Sequence, residues 1–139
     1  MGIDNNVHIV GNVTRDPELR HAQSGMAIAN IGIAWNKRKR DGEDEVSYFN
    51  ITAFDSLANN IAESITKGMR VSVSGTLQQR SWEDKEGNKR SSVEIVADEV
   101  SPSMRWASAR VERNPREGSA PVKNAPDHAP AYNENEEPF

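Results

Sequence analysis

A strand–turn–strand pattern occupies residues 71–95, which read VSVSGTLQQRSWEDKEGNKRSSVEI. Strict alternation places Val71, Val73 and Leu77 on one face of the first strand, and Val93 and Ile95 resume that face after the turn. Because a half-buried strand turns its apolar side chains inward, these side chains are predicted to lie in the core. The turn at 85–88 has the charge and the glycine of a short hairpin loop.

The opposite face of this hairpin is polar and cationic. It carries Arg80 and Trp82 on the first strand and Arg90 on the second, with Lys85 and Lys89 at the turn. An exposed indole among cations suits a chain of bases, because the ring can stack on a base while the cations neutralise phosphate. The same indole could instead cover the end of the core or lie in a subunit interface.

Composition limits the class of protein. One domain is expected for 139 residues, and the absence of cysteine excludes both a disulfide framework and a thiolate metal site. No apolar run could span a bilayer and no secretory signal opens the chain, so cytosolic residence is expected. No cofactor is predicted. The acidity is concentrated at the end: residues 1–110 carry 14 basic and 15 acidic side chains, and residues 111–139 carry 3 and 6.

Three further strands are predicted before the hairpin, at residues 5–15, 27–36 and 46–54. Gly11 interrupts the first, which indicates a bend where the strand changes sheet, and residues 16–18 are predicted to turn. In the third, Phe49, Ile51 and Ala53 form the predicted core face. Tyr48 and Phe54 then stand on the opposite, mostly polar face, either as ligand contacts or as cross-strand packing partners.

Trp35 and the following loop give a less direct signal. The period of the second strand places Trp35 with the core, whereas its position at the strand end would let it reach a ligand, and we favour the core. The loop at 37–45 is expected to be solvated. Its cationic half offers phosphate contacts and consists of Lys37, Arg38, Lys39 and Arg40.

One helix is predicted over residues 55–67, with an apolar stripe of Leu57, Ile61 and Ile65. Asp55 or Ser56 is expected to cap its start, and Gly68 to stop it. After the hairpin the fifth strand should end at Val100, residues 101–102 should break the ladder, and residues 104–111 could form a short extra strand. From residue 112 the chain has too few large apolar side chains to fold, so a disordered tail is predicted.

Three strands, a helix and two strands, with a bend in the first strand, form the pattern of an OB-fold, a five-stranded Greek-key barrel. The chain is thus predicted to be all-β with one helix, in two parts: an OB-fold domain at 1–111, with an extra C-terminal strand, and an acidic tail at 112–139.

With strands and helix in this order, the chain closely resembles the bacterial single-stranded DNA-binding proteins. The matching segments cover most of residues 5–100 and read VGNVTRDPELR at 10–20, ANIGIA at 29–34, YFNITAF at 48–54 and ITKGMRVSVSGTLQQRSWEDKEGNKR at 65–90, with Pro138-Phe139 at the end. The resemblance implies a homotetramer, a dimer of dimers, that wraps single-stranded DNA and serves replication, recombination and repair. Tyr48, Phe54 and Trp82 match the family's base-stacking aromatics. Residues 98–111 look most like the actinobacterial branch, where an extra strand strengthens the subunit contact.

The resemblance also implies a tip that recruits partner enzymes, formed by Glu134, Glu136, Glu137, Pro138 and Phe139. The tail departs from the family in being short, without a long Gly-rich linker, and in having Glu137 before Pro138. The loop at 37–45 is shorter than in many relatives and lacks an aromatic. A purely solubilising acidic end is the alternative role for the tail.

Other classes of function fit the residues less well. The three histidines, His8, His21 and His128, belong to no Ser/His/Asp or Cys/His set, so the chain is not predicted to be an enzyme. An RNA-binding barrel, or a restart or recombination accessory protein on the same fold, is a closer rival, since stacking hardly separates DNA from RNA. A pure interaction module would leave the aromatic and cationic faces without a role.

Overall fold

The computed structural model describes residues 4–115. Its elements are β1 (Val7–Val13), β2 (Glu18–His21), β3 (Ala27–Lys37), β4 (Glu45–Phe54), α1 (Asp55–Ser64), β5 (Arg70–Glu83) and β6 (Lys89–Pro102). The chain divides into residues 1–109 and residues 110–139. Of the second unit only residues 110–115 are described, and they contain neither helix nor strand. The predicted tail beyond them, with its tip, lies outside the described residues.

Five of the strands close into a barrel because β1 pairs on both sides. It runs antiparallel to β5 and, near its end, antiparallel to β3. The circuit continues through β6 and β4, which pair in parallel, and β4 returns to β3. This is the predicted OB-fold arrangement. The sixth strand, β2, adds to β3 just after the turn predicted at 16–18; its four side chains are all exposed, so it has no apolar alternation to reveal it.

The bend expected at Gly11 coincides with the change of partner in β1. Val7–Asn12 pair with β5, whereas Asn12 and Val13 pair with β3. A Cβ atom on Gly11 would lie 2.5 Å from the carbonyl oxygen of Ala34, so the β3 backbone passes too close for any other residue. The glycine therefore allows β1 to join the two sides of the barrel.

The core lies inside this barrel. Its largest fully buried side chains are Ile31, Ile33, Ile51, Val71, Val73 and Ile95, and Ala58, Ile61 and Ile65 from the helical segment pack against them. The core phases predicted for the third strand and for the start of the hairpin are confirmed. Burial of apolar surface on this scale is the main stabilising contribution to the fold.

The helix differs from its prediction at both ends. No side chain caps its start: Phe54 is the N-cap residue in an extended conformation, and Asp55 makes the sharp turn with φ +59°. The helix ends at Ser64, before the predicted Lys67. Gly68, at φ +91°, belongs to a later turn in which its N–H donates to the carbonyl oxygen of Val13. The positive φ of this later turn, rather than a helix stop, thus explains the glycine.

The β5–β6 hairpin extends beyond the closed part of the barrel. β5 and β6 remain paired as far as Glu83 and Lys89, so residues 77–94 form a two-stranded arm with a loop at its tip. Leu77 and Val93 are 46% and 59% exposed, and their predicted place in the core is wrong. Their phase is the core phase, but within the single chain the arm has little of the barrel against its apolar face. Ile95, opposite Leu77, is buried as predicted.

The end of β6 also departs from expectation. Ser101 and Pro102 do not break the ladder, since they pair with Ser72 and Val71. Proline is tolerated here because it stands at the last position of the strand.

The predicted extra strand at 104–111 is absent from the single chain. Ser103 N–H donates to the carbonyl oxygen of Arg70, and the chain then bends. The guanidinium carbons of Arg70 and Arg105 lie 4.8 and 4.7 Å from the ring centroid of Trp106. These cation–π contacts hold the segment near the start of β5. A strand needs a neighbour, and no strand within residues 4–115 pairs with this segment.

Candidate nucleic-acid interface

The outer face of β4 carries two of the predicted stacking residues. Tyr48 lies opposite Ala34 and Phe54 opposite Ile28 in the ladder with β3. Tyr48 is 73% exposed because the small alanine leaves its ring uncovered, and Phe54, at the strand-to-helix turn, is 37% exposed. Neither ring faces another aromatic across the ladder, so aromatic cross-strand pairing does not account for them. Both rings are available to a flat ligand.

The arm holds the third predicted aromatic beside a fixed cation. Trp82 is 45% exposed and lies directly opposite Arg90. Residues directly opposite in a ladder share a face, with Cβ atoms about 5 Å apart. Asp84 accepts a hydrogen bond from Arg90 Nε at 3.0 Å, so the guanidinium is tethered at the tip of the arm.

Asp84 also organises the loop that closes the arm. Its Oδ1 accepts the backbone N–H groups of Glu86 and Asn88 at 3.0 and 2.9 Å. The backbone hydrogen bond from Asn88, followed by the Arg90 side chain, lowers the pKa of the Asp84 carboxyl below its ordinary value of 3.8. At any pH above this lowered pKa the Asp84 carboxylate is charged, and it can accept the hydrogen bonds from Glu86, Asn88 and Arg90 that hold the loop. Lys85 and Lys89, also predicted to bind phosphate, are exposed beside it.

A groove of about 320 Å³ on the outer face brings Phe54 and Arg80 together. Its other lining residues are Arg20, Ile28, Asn30, Thr52, Gln78, Gln79 and Glu94. An aromatic ring, two guanidinium groups and several amides thus converge from β2, β3, β4, β5 and β6. Such a groove can take a base, with phosphate against the guanidinium groups.

Trp35 does not share this face. It lies opposite Ser47, whereas the neighbouring pair Ala34 and Tyr48 points to the other side of the sheet. The ring is 41% exposed, so its predicted burial in the core is wrong, although its phase is the core phase. β3 extends past the closed part of the barrel, and Trp35 lines a separate cleft of about 720 Å³ with Phe49, Leu77 and Ile95. Ligand contact by Trp35 stays a prediction.

The cationic run at 37–40 is exposed throughout. Lys37 ends β3 opposite Glu45, and Lys39 forms an ion pair with Glu45. These two lysines therefore have an acidic neighbour within the chain. Among the described residues Arg38 and Arg40 form no such ion pair, which makes them the stronger phosphate candidates of the run.

Of the nine residues that line the groove, only Phe54 and Arg80 were predicted as site residues, and sequence reasoning missed the other seven. Arg20 lies on the unpredicted β2, and its exposure gave no periodic signal. Asn30, Thr52 and Glu94 come from three different strands and meet only in the folded chain. One signal was present for Asn30, which is the only strongly polar side chain in the run AIANIGIA at 27–34. A polar group inside such an apolar run needs a hydrogen-bond partner.

Metal-binding and membrane-spanning features are absent from residues 4–115. No group of three or more His, Asp or Glu side chains in that range could hold a metal ion. In the same range no helix is long and apolar enough to cross a membrane.

A closed five-stranded barrel, with aromatic and cationic side chains on one outer face and its arm, defines an OB-fold of the oligonucleotide-binding kind. Residues 4–103 match the model of the Single-strand binding protein family, and the chain belongs to this family. The resemblance identified from the sequence motifs is confirmed. The family's description names binding rather than catalysis, in agreement with the prediction that the protein is not an enzyme.

Relatives from actinobacteria share this similarity over most of the chain. A single-stranded DNA-binding protein of Corynebacterium glutamicum is 46% identical over 123 residues, which are 84% of this chain and 55% of that protein. One of Paenarthrobacter nicotinovorans is 40% identical over 136 residues, 94% and 80% of the two chains. One of Mycobacterium bovis is 44% identical over 124 residues, 85% and 76%. The chain thus spans about half the length of the first relative and about four-fifths of the second.

Proposed function

We propose that this protein binds and protects single-stranded DNA without strong sequence preference. The observation that carries the proposal is the shared outer face: Tyr48 and Phe54 on β4 continue onto the arm through Arg80 and Trp82. Successive bases stack on the three rings, and cations beside them neutralise the phosphates. The proposed phosphate contacts are Lys37, Arg38, Lys39, Arg40, Arg80, Lys85, Lys89 and Arg90.

The net charge of −4 does not oppose this proposal. Binding depends on the local field, and the cations named above cluster on one loop and one arm, whereas the acidity is concentrated in the last residues.

Equilibrium binding to fluorescein-labelled dT30 tests the proposal. Trp82→Ala, Tyr48→Ala and Phe54→Ala should each weaken binding by ~1–3 kcal/mol for a lost stack, which is roughly 5- to 150-fold. Trp82→Phe and Tyr48→Phe keep a ring and should stay near wild type, whereas Phe54→Leu keeps bulk without a ring and should not. Wild-type affinity in all three folded alanine variants would refute the stacking mechanism, and no binding by the wild type would refute the function.

The nearest rival function, RNA binding on the same face, is separated by competition. Poly(U) and poly(dT) offer similar bases but differ in the 2′-hydroxyl, which is the group that distinguishes RNA from DNA. Poly(dT) should displace the labelled DNA at lower concentration than poly(U). Stronger competition by poly(U) would move the proposal to RNA.

We further propose that the chain assembles as a homotetramer. Three apolar surfaces are uncovered in the single chain: Leu77 and Val93 on the arm, the cleft beside β1, and the segment at 104–111. Met104 and Trp106 in that segment are each 72% exposed. Subunit contact through β1 and this segment would cover such surfaces and give unpaired strand edges a partner. Light scattering should give the tetramer mass at micromolar concentration, and a monomer would refute the assembly.

The last residues are proposed to recruit enzymes of replication, recombination and repair in the cytoplasm, at the nucleoid or replication fork. Phe139 offers an aromatic ring, and Glu134, Glu136, Glu137 and Pro138 precede it. A partner pocket can take the ring, with Pro138 restricting the backbone before it. The acidic residues would attract a basic rim on the partner.

A further inference from the structure

An arginine that the sequence analysis did not single out lies over Gly32 on the outer face of β3. Gly32 is directly opposite Asn50 in the β3–β4 ladder, two residues from the pair Ala34 and Tyr48 on the same face. A Cβ atom on Gly32 would lie 3.6 Å from Arg15 Nη1 and 3.8 Å from Arg15 Cζ. The guanidinium of Arg15 therefore rests on the face that carries the proposed stacking residues, and Arg15 itself is exposed.

The space for this guanidinium exists because residue 32 has no side chain. Gly32 is not among the glycines with a positive φ, so other residues could adopt its backbone conformation. It stands in the middle of β3, where a glycine marks a close approach by another part of the chain. The Thr14 N–H donates to the Gly32 carbonyl oxygen at 2.9 Å, and the Thr14 hydroxyl and the Arg15 guanidinium occupy the place of the missing side chain. Gly32 thus allows Arg15 to fold back onto the outer face.

No acidic side chain of the described chain neutralises Arg15. Its neighbour Asp16 accepts a hydrogen bond from the backbone N–H of Lys67 at 2.9 Å. Glu18, at the start of β2, forms no ion pair with Arg15 within residues 4–115. A guanidinium has five N–H donors and no acceptor, so Arg15 can offer several donors to an anion that reaches this face.

The position of Arg15 falls between the two rings of β4. Tyr48 and Phe54 are six residues apart on one face, a span of about 20 Å at ~3.3 Å per residue. Gly32 and Asn50 lie within this span, so the row that Arg15 covers is about 7 Å from the row of Tyr48. A DNA strand with one base on each ring has to carry its negatively charged backbone past this position.

The other proposed phosphate contacts near β4 lie toward the ends of the same span. The cationic run at 37–40 begins where β3 ends, beyond the row of Tyr48. Arg80 lines the groove together with Phe54, at the opposite end. Arg15 therefore supplies a cation to the middle of the path.

We propose that Arg15, seated over Gly32, forms a phosphate subsite between the bases held by Tyr48 and Phe54. A guanidinium can bind a phosphate group through two parallel N–H···O hydrogen bonds, and it stays charged at every pH at which DNA would be bound. This inference rests on the proposed single-stranded DNA binding. The contact reads no base, so it agrees with binding that has no strong sequence preference.

Salt titrations of dT30 binding by the full chain test this subsite. Arg15→Gln removes one ionic contact, so the slope of log affinity against log salt should lose about 0.7 of its magnitude. That slope corresponds to binding about fivefold weaker than wild type at about 0.1 M salt, with the difference vanishing near about 1 M. Because Arg15 is exposed, the variant should fold and melt like the wild type.

Two further variants separate phosphate contact from other roles of Arg15. Lys123→Gln removes the same charge from the acidic end of the sequence and should leave the slope unchanged. Arg15→Lys keeps a cation at the subsite and should retain the wild-type slope, since lysine binds phosphate as a point charge. If Arg15→Gln has the slope of Lys123→Gln, or if Arg15→Lys lowers the slope as much as Arg15→Gln, the inference is wrong. Failure of the wild-type protein to bind dT30 would instead overturn the proposed function.

Discussion

Gly75 offers a sharp test of the geometry that sets the arm on the barrel. At this position β6 carries one extra residue: Ser74 pairs with Glu99 and Gly75 with Ala97, so Asp98 has no partner. A Cβ atom on Gly75 would lie 2.0 Å from the Val96 carbonyl oxygen and 3.0 Å from Ala97 Cα. Both are backbone atoms, so no side-chain rotation can relieve the contact.

The expected cost of Gly75→Ala follows from these distances. The two strands would have to separate locally by about 1 Å, which is overpacking at about 1–3 kcal/mol. Replacing glycine also removes freedom from the unfolded chain, which stabilises by about 0.4–1 kcal/mol. The clash is the larger effect, so net destabilisation is expected. For a domain of this size the melting temperature should fall by roughly 4–8 °C per kcal/mol lost.

Thermal melting followed by circular dichroism measures this effect at a fixed protein concentration, because assembly would make the melting temperature depend on concentration. Ser91→Ala is the control, since Ser91 is exposed on the arm and opposite Ser81. DNA binding provides a second readout: Gln78, Arg80 and Trp82 follow the bulge, so a shifted arm should also weaken binding to dT30. A melting temperature equal to that of Ser91→Ala would show that β6 does not approach Gly75 this closely.

Three other measurements follow from the site and the tail. Because the pKa of Asp84 is lowered in the folded protein, its contribution to stability is complete above the ordinary value of 3.8 and is lost as pH falls through the lower, folded value. In an NMR titration the chemical shift of the Asn88 amide should therefore change below pH 3.8. A change centred at or above pH 3.8 would contradict the loop geometry. Arg80→Gln should reduce the magnitude of the slope of log affinity against log salt by about 0.7, whereas Lys67→Gln, beyond the helix, should leave the slope unchanged. If the Arg80→Gln protein has the same slope as the Lys67→Gln protein, Arg80 does not contact phosphate. Deleting residues 134–139, or changing Phe139→Ala, should leave DNA affinity unchanged or slightly higher and abolish capture of replication and repair enzymes; retained capture by both would refute recruitment.

Alternation in the sequence was sufficient to show which side of the sheet each residue faces in the strands that it predicted. It placed Ile51 and Val73 inward and Tyr48 and Trp82 on polar faces, because successive side chains of a strand point to opposite sides. The order of strands and helix indicated the barrel, since connections in small domains are short and the number of topologies is limited. The family motifs then agreed with a fold that composition and period had already indicated.

The tertiary structure alone decided where each face is covered. Trp35, Leu77 and Val93 have the phase of core residues and are nevertheless 41%, 46% and 59% exposed, because their strands continue beyond the closed part of the barrel. The alternation of a strand shows which side of the sheet a side chain faces, but it does not show how far the layer that covers this side extends.

Long-range contacts were equally invisible to the sequence. Thr52 meets Asn30 across 22 residues and Glu94 across 42, and neither partner carries a local signal for the other. The extra residue at Asp98 and the closure of β1 onto β3 likewise depend on strands that meet only after folding. The aromatic positions of the candidate site therefore follow from the sequence, whereas its groove and the polar contacts of Thr52 exist only because the barrel closes and brings distant strands within hydrogen-bonding distance.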